Sequence, residues 1–320
     1  MSTIVFFGTP EFALPALRGL TETDYRVVGV VTRPDAPTGR RAVLTPPAVK
    51  VTAEEYGVPV FQPEKIDARD FASGKIPSAD LLVVAAYGKI IPKSILDLPR
   101  YGALNIHPSL LPRWRGPSPI QHAILHGDAQ TGVTIIAMDE QMDHGPVVAK
   151  RGLPLPATPR PTYPVLHDVL AKIAADLLIE TLPRWIAGDI APIPQDETRA
   201  TYSKMLVRDD GKIDWSRPAE EIERMIRAFQ PWPGSWTIWK SEMGNRRIRI
   251  EDADAVEDAP PAGGASGLVL QDRTRPLLVK SGRGSLVIKK LGLEGKSILD
   301  AEAFLRGHPS LIGSTLGNAN

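Results

Sequence analysis

The sequence predicts an α/β protein in two parts: a mostly parallel sheet flanked by helices first, then a small β-barrel. Three observations predict it. Ile4-Val-Phe-Phe7 is an apolar strand that turns through Gly8-Thr9-Pro10 into a helix, and Tyr25 to Thr32 follows as a second buried-type strand, which is a βαβ start. Ala79-Asp-Leu-Leu-Val-Val-Ala-Ala86 is apolar almost throughout, as strands covered on both faces are. Beyond Pro231 the chain breaks into short strand-like segments between glycine-rich turns, at the spacing of a barrel.

In order, Thr9 is placed as N-cap of the first helix with Pro10 at its first position. The turn is of dinucleotide-fold type, making the first part Rossmann-like, yet it lacks a full G-x-G-x-x-G, so a nicotinamide cofactor is not indicated. Arg33 to Leu44 is rich in turn formers and reads as an exposed loop. A helix from Pro46 to Tyr56, a strand from Val58 to Phe61 and a polar helix from Glu64 to Ser73 come next. Tyr87-Gly88 stops the strand that follows. Gly102 to His107 is a short strand, Pro117 to His126 a helix, Gly132 to Met138 a strand, and Thr162 to Trp185 a helix with an apolar stripe. Gly188 to Arg199, with its prolines and polar residues, reads as connecting chain. A helix lies between Gly211 and Gln230, capped near Ser216, and the barrel strands are Thr237 to Lys240, Arg246 to Glu251, Gly267 to Leu270, Leu277 to Val279 and Ser285 to Leu291. Glu257 to Gly264 is a loop between two of them. The expected division is a catalytic domain over 1–188, a linker over 189–207 and a five-stranded, OB-like barrel over 208–320.

Bulk composition narrows the function. A hydrophobic content of 42% and a charged content of 23% are those of a soluble globular protein. With 38 basic against 37 acidic residues there is no global positive field, so any nucleic-acid contact must come from local patches. The absence of cysteine excludes disulfides, thiolate catalysis and cysteine metal sites. Met1-Ser-Thr leads straight into a strand and no apolar run reaches membrane-spanning length, so we expect a cytoplasmic, monomeric protein with no membrane association.

The chemistry is expected around Asn105, His107 and Asp143. Side chains alternate along a strand, so Asn105 and His107 share one face while Leu104 and Ile106 share the other. Pro108 holds His107 extended at the end of its strand, where ligands bind in open α/β sheets. An amide donor, a titratable ring and a carboxylate meeting there can polarise a carbonyl, hold the oxyanion that forms and move a proton. Asp139 reads as a turn or cap residue, and no histidine or cysteine spacing accompanies the acids as a metal site would require. His122, His126, His167 and His308 read as packing or surface residues, and His144 as a turn residue beside Asp143.

Asn105-Ile-His107, Ser109-Leu-Leu-Pro112, Arg113-Trp-Arg-Gly116 and Asp143 resemble the signature of the folate-dependent formyltransferases. The wider match, from Phe7-Gly-Thr-Pro-Glu-Phe12 through Arg227-Ala-Phe-Gln-Pro-Trp-Pro-Gly-Ser-Trp236, is similar to the methionyl-tRNA formyltransferase family and covers nearly the whole chain. The resemblance implies Asn105, His107 and Asp143 as catalytic residues, 10-formyltetrahydrofolate as formyl donor without a metal, and methionyl-initiator tRNA as acceptor. It implies a folate pocket at Tyr87, Gly88, Ile90, Ser109, Leu110, Leu111 and Pro112. It places tRNA contacts at Arg40 and Arg41. Arg246, Arg247 and Arg249, near Trp236 and Trp239 on the barrel, are a second basic patch suited to RNA backbone. Many relatives have glycine where this chain has Gln141, so a positive φ is expected to strain that position. The nearest alternative is the same chemistry on a small amine, opposed by the long second domain and the Arg227 to Trp236 run. A non-catalytic RNA-binding protein is opposed by the presence of Asn105, His107 and Asp143.

Overall fold

The computed structural model describes residues 1–39, 42–241, 244–257, 265–271 and 274–317. It separates into two compact units, one of residues 1–119, 129–155 and 166–204, the other of residues 120–128, 156–165 and 205–320.

The first unit opens with β1 (Thr3–Gly8), α1 (Leu14–Thr21) and β2 (Arg26–Val31). Thr9 does not cap the helix. Its hydroxyl instead donates to the Tyr87 carbonyl at 3.0 Å, and a 3-10 turn, Glu11–Ala13, separates it from α1. Arg33 to Leu44, read as a loop, contains a hairpin of β3 (Ala36–Thr38) and β4 (Val43–Thr45). The hairpin's base is pinned where Asp35 accepts from Gln62 Nε2 at 2.7 Å and from Lys50 Nζ at 2.9 Å, bonds that hold the Asp35 carboxyl below its usual range. Arg40 and Arg41 lie outside the described residues.

Along the chain there follow α2 (Ala48–Glu55), β5 (Val60–Phe61), α3 (Ala68–Ala72), β6 (Leu81–Ala85), α4 (Lys93–Leu96), β7 (Ala103–His107), α5 (Pro119–Leu125), β8 (Gln130–Ala137), β9 (Val147–Pro154) and α6 (Tyr163–Ala187), with all but the first residue of α5 and the start of α6 belonging to the second unit. The expected helix over Glu64 to Ser73 shrinks to α3 because Asp67 caps it, accepting from the Arg69 amide while Asp70 accepts from the Asp67 amide. The sheet order is β5-β2-β1-β6-β7-β8-β9. Pairing is parallel as far as β7, but β8 runs antiparallel to β7 and β9 antiparallel to β8. Val5, Phe7, Val31, Leu82, Val84 and Ile95 form a core on one side of the parallel strands.

Asp80 ties β6 to β1. Its carboxylate accepts from the Thr3 amide and hydroxyl, each at 2.8 Å, and these bonds hold its carboxyl below the ordinary carboxylate range. A carboxyl held low when folded adds stability that is fully present above its unfolded pKa and lost as pH falls through the folded one. Asp80→Asn should therefore weaken the protein at pH 7, with a deficit that shrinks at acid pH, below the ordinary carboxylate range. Urea denaturation at neutral and acid pH checks this, and a deficit that does not change with pH would refute it.

In the second unit, α7 (Ala219–Ala228) precedes β10 (Ser235–Ser241), β11 (Gly244–Val256), β12 (Val269–Leu270), β13 (Leu278–Lys280), β14 (Ser285–Leu293), β15 (Leu299–Asp300), α8 (Ala301–Gly307) and β16 (Leu316–Gly317). Pro218, not Ser216, stands at the N-cap of α7, and no side chain caps it. Among the described residues the antiparallel order is β12-β13-β14-β11-β10-β16, with β15 beside β14. The ends meet: Leu268 bridges Thr315, and the Leu316 amide donates to Gly267 O at 2.8 Å, closing the sheet into a barrel. Gly267 has φ +88°, and a Cβ there would lie 2.1 Å from Leu316 O, so the closure needs glycine. The two-residue strands β15 and β16 are too short to show a period in sequence. Trp215, Ile222, Ile226, Trp239, Ile248, Ile250, Leu286 and Phe304 fill the barrel core.

Candidate active site

β7 sits between β6 and β8, and its alternation sends Leu104 and Ile106 into the core at 0% and 2% exposure. Asn105 and His107 share the other face. The third group arrives by a different route from the one expected. Because β8 is antiparallel to β7, it ends beside Leu104, at the far end of β7 from His107. The loop from Met138 to Pro146 must return across the sheet face, and it brings Asp143 over Asn105 and His107. Gly145 permits the tight return, since a Cβ there would lie 1.9 Å from Ala137 O.

The three side chains meet at one atom. Asn105 Nδ2 donates to Asp143 Oδ1 at 3.2 Å, and His107 Nδ1 lies 3.5 Å from the same oxygen. Asp143 Oδ2 accepts from the Gly116 amide at 2.8 Å. His107 is 5% exposed, and its Nε2 is 2.8 Å from Trp114 O. A carbonyl can only accept, so Nε2 donates to it, and Nδ1 is the ring nitrogen left toward Asp143. The Asn105 amide is oriented by the carboxylate, and its second Nδ2 proton has no partner among the described residues. Asp143, not Gln141, holds the left-handed backbone, at φ +51°. The Gln141 amide instead donates to Asp139 Oδ1 at 2.9 Å, and Asp139 Oδ2 bonds His144 Nδ1, so Asp139 is a turn residue as read.

Residues 189–204, read as connecting chain, are bonded along the first unit. Ile193 exchanges backbone hydrogen bonds with Val147 at 2.7 and 2.8 Å. Gln195 Nε2 donates to Asp143 O and Gly145 O, each at 2.8 Å. Gln195 Oε1 accepts from Arg115 Nε and Nη2 at 3.1 and 2.9 Å. Arg115 is 1% exposed and also binds both Glu197 carboxylate oxygens, at 2.9 and 2.6 Å, which holds the Glu197 carboxyl low and the guanidinium high. Thr201 completes the seam, accepting the Trp114 amide on Oγ1 and the Arg115 amide on its carbonyl, both at 2.9 Å. Nothing in the sequence pattern marked Gln195. Arg115 was visible as part of the Arg113-Trp-Arg-Gly116 stretch, but nothing there told its task from that of Arg113.

Comparison with known proteins gives this arrangement a family. Residues 1–182 match the model of the formyl transferase family, and residues 205–309 match its C-terminal domain. The chain belongs to the formyl transferase family. It is 42% identical over 322 residues to methionyl-tRNA formyltransferase of Bacillus velezensis, covering 100% of this chain and 99% of that one. To the methionyl-tRNA formyltransferase of Roseiflexus sp. it is 44% identical over 319 residues, covering 99% and 96%. Among solved structures, HypX of Aquifex aeolicus in complex with tetrahydrofolic acid has the same fold, with TM-score 0.60, 18% identity, and 95% of this chain covered against 47% of that one. The N-formyltransferase of Helicobacter canadensis, solved with folinic acid and dTDP-3-aminofucose, has TM-score 0.65 at 14% identity, covering 90% and 99%.

In this formyl transferase the residues expected to hold folate fall into two classes. Ile90 is 83% exposed, Gly88 has φ +76°, and Leu110 and Pro112 are half-buried. Tyr87, Ser109 and Leu111 turn their side chains inward. The Tyr87 ring packs edge-on against Phe7 at 5.3 Å, its hydroxyl has no hydrogen-bond partner among the described residues, and burial raises the phenol pKa. Ser109 Oγ donates to Arg113 O at 2.6 Å, and Leu111 packs with Ile136 and Val147. Thr134 on β8 sets the shape of this loop, donating to Ser109 O at 2.7 Å and accepting the Leu111 amide at 3.1 Å. The side chains of Ser109 and Leu111 thus shape this loop, and the Tyr87 ring packs into the core against Phe7.

The three barrel arginines do not share one face. Arg246 pairs with Trp239 and lies over its ring at 5.9 Å, on the core side of the sheet. Arg247 and Arg249 lie on the other side with Trp236, Arg247 stacking on that ring at 3.9 Å. Arg247 is also paired with Glu294 at 3.2 Å, whereas Arg249 is exposed.

Proposed function

We propose that this formyl transferase moves the formyl group of 10-formyltetrahydrofolate to the α-amino group of methionine esterified to initiator tRNA. The convergence of Asn105, His107 and Asp143 on one carboxylate oxygen carries the reading. The neutral amine attacks the formyl carbon, and the carbonyl oxygen becomes an oxyanion. Asn105 meets it with its second Nδ2 proton. The amine's proton passes to Asp143 or to His107 Nδ1, which share it across 3.5 Å, and N10 of the folate gains a proton as its bond to carbon breaks. The products are the N-formyl amide and tetrahydrofolate.

Folate fits the turns after β6 and β7, where Gly88 leaves space and Ile90, Leu110 and Pro112 offer apolar surface beside backbone polar groups. Residues 1–188 serve catalysis, and the barrel of 208–320, with the Arg33 to Leu44 hairpin, serves tRNA. The full-length match to methionyl-tRNA formyltransferases supports this assignment of the acceptor. Arg249 presents an exposed cation beside the Arg247–Trp236 stack, so Arg249→Ala should weaken tRNA binding and reduce the salt slope by about one counterion. Filter binding across a salt series reads this, and an unchanged slope would remove Arg249 from the interface. The function itself is tested by offering charged initiator tRNA and small amines in competition for a labelled formyl donor. Transfer to tRNA is expected, and preference for a small amine would overturn the reading.

A further inference from the structure

We infer that Gln195 is a positioning residue that locks the backbone of the Asp143 loop, an inference that rests on the catalytic role proposed for Asp143. The geometry gives the amide one consistent orientation. Its Nε2 faces two carbonyl oxygens, Asp143 O and Gly145 O, each at 2.8 Å, while its Oε1 faces two guanidinium N–H groups of Arg115. Reversing the amide would set acceptor against acceptor and donor against donor, leaving four polar contacts broken. The two carbonyls flank His144 and close the stretch in which Asp143 adopts φ +51°. A non-glycine residue in that region is disfavoured and persists only where its surroundings hold it.

The clamp is itself rigid. Arg115 is buried and braced by Glu197, and Gln195 follows the two-bond bridge from Ile193 to Val147. Fixing the Asp143 carbonyl fixes its Cα, and hence the direction of the carboxylate toward Asn105 and His107. Without Gln195 the loop gains alternatives in which Oδ1 leaves those partners. Small misplacements of a reacting group cost rate steeply.

The test is a double-mutant cycle on the full-length enzyme, with kcat, both KM values and the unfolding temperature measured for Q195A, Q195E, D143N and Q195A/D143N. Q195E keeps the length of the side chain and its contacts to Arg115 but turns an acceptor toward both carbonyls. Each Gln195 variant should lose about 10- to 100-fold in kcat with either KM changed less than about threefold. In the D143N background, Q195A should cost less than about threefold more, because the group it positions is already gone. A merely structural residue would multiply its loss in both backgrounds, and that outcome overturns the inference. So does kcat within about twofold of wild type for Q195E, which decides the matter if Q195A fails to fold. If D143N alone works at the wild-type rate, the catalytic role of Asp143 falls. If D143N is impaired and the Gln195 variants are not, the positioning role falls by itself.

Discussion

Alanine at Asn105, His107 or Asp143 should each lower kcat for formylation of methionyl-tRNA by about a hundredfold or more. Loss of Asn105 removes a donor aimed at the oxyanion and one partner of Asp143 Oδ1. Loss of Asp143 removes the proton's destination and also leaves the Gly116 amide without its acceptor at 2.8 Å. Loss of His107 removes Nδ1, the ring nitrogen not committed to Trp114 O. The effect should lie in kcat, since these groups act on the reacting carbon and not on the tRNA body, so tRNA affinity measured by filter binding should change less than about twofold. Normal turnover in any one variant removes that residue from the mechanism.

The second large effect falls on stability. Glu223, 7% exposed on α7, is bound by Arg227 Nε at 2.5 Å and Nη2 at 3.0 Å, with Arg160 Nη1 at 3.4 Å. Arg227 Nη1 also donates to Pro161 O at 2.8 Å, so α7 is tied to the 156–165 segment. Glu223→Ala leaves the half-buried Arg227 guanidinium without its carboxylate, which costs about 3 kcal/mol, the low end for breaking a buried pair. Calorimetry should then show a drop on the order of 10 °C in unfolding temperature. A shift below about 2 °C would mean that the arginines find water or other partners. Arg227 opens the run to Trp236 that carried the resemblance in sequence, and its bonds give that residue a structural task.

Sequence reasoning succeeded where the pattern is local. The apolar runs of β1, β2 and β6 mark a sheet covered on both faces, and alternation along β7 was enough to pair Asn105 with His107. It failed where information is distant. Strand direction is not written in a strand's own residues, so the reversal at β8 was invisible, although it decides how Asp143 reaches β7. β9 went unread because it buries Val147 and Val148 and then alternates half-buried and exposed positions, a weak apolar signal. Residues 189–204 looked like connecting chain because prolines and polar residues dominate, and their partners lie about 50 to 90 positions away. For Tyr87, expected beside the folate turn, the sequence could not show that its ring packs edge-on against Phe7.

The account holds that Asn105, His107 and Asp143 act as one unit on a single carbonyl. Single-turnover transfer of labelled formyl to methionyl-tRNA, compared among the three single alanine variants and the triple variant, tests this most directly. Residues acting as a unit are strongly non-additive, so the triple variant should be no slower than the slowest single variant by more than about fivefold. Losses that multiply through the series would mean three independent residues, and would contradict the account.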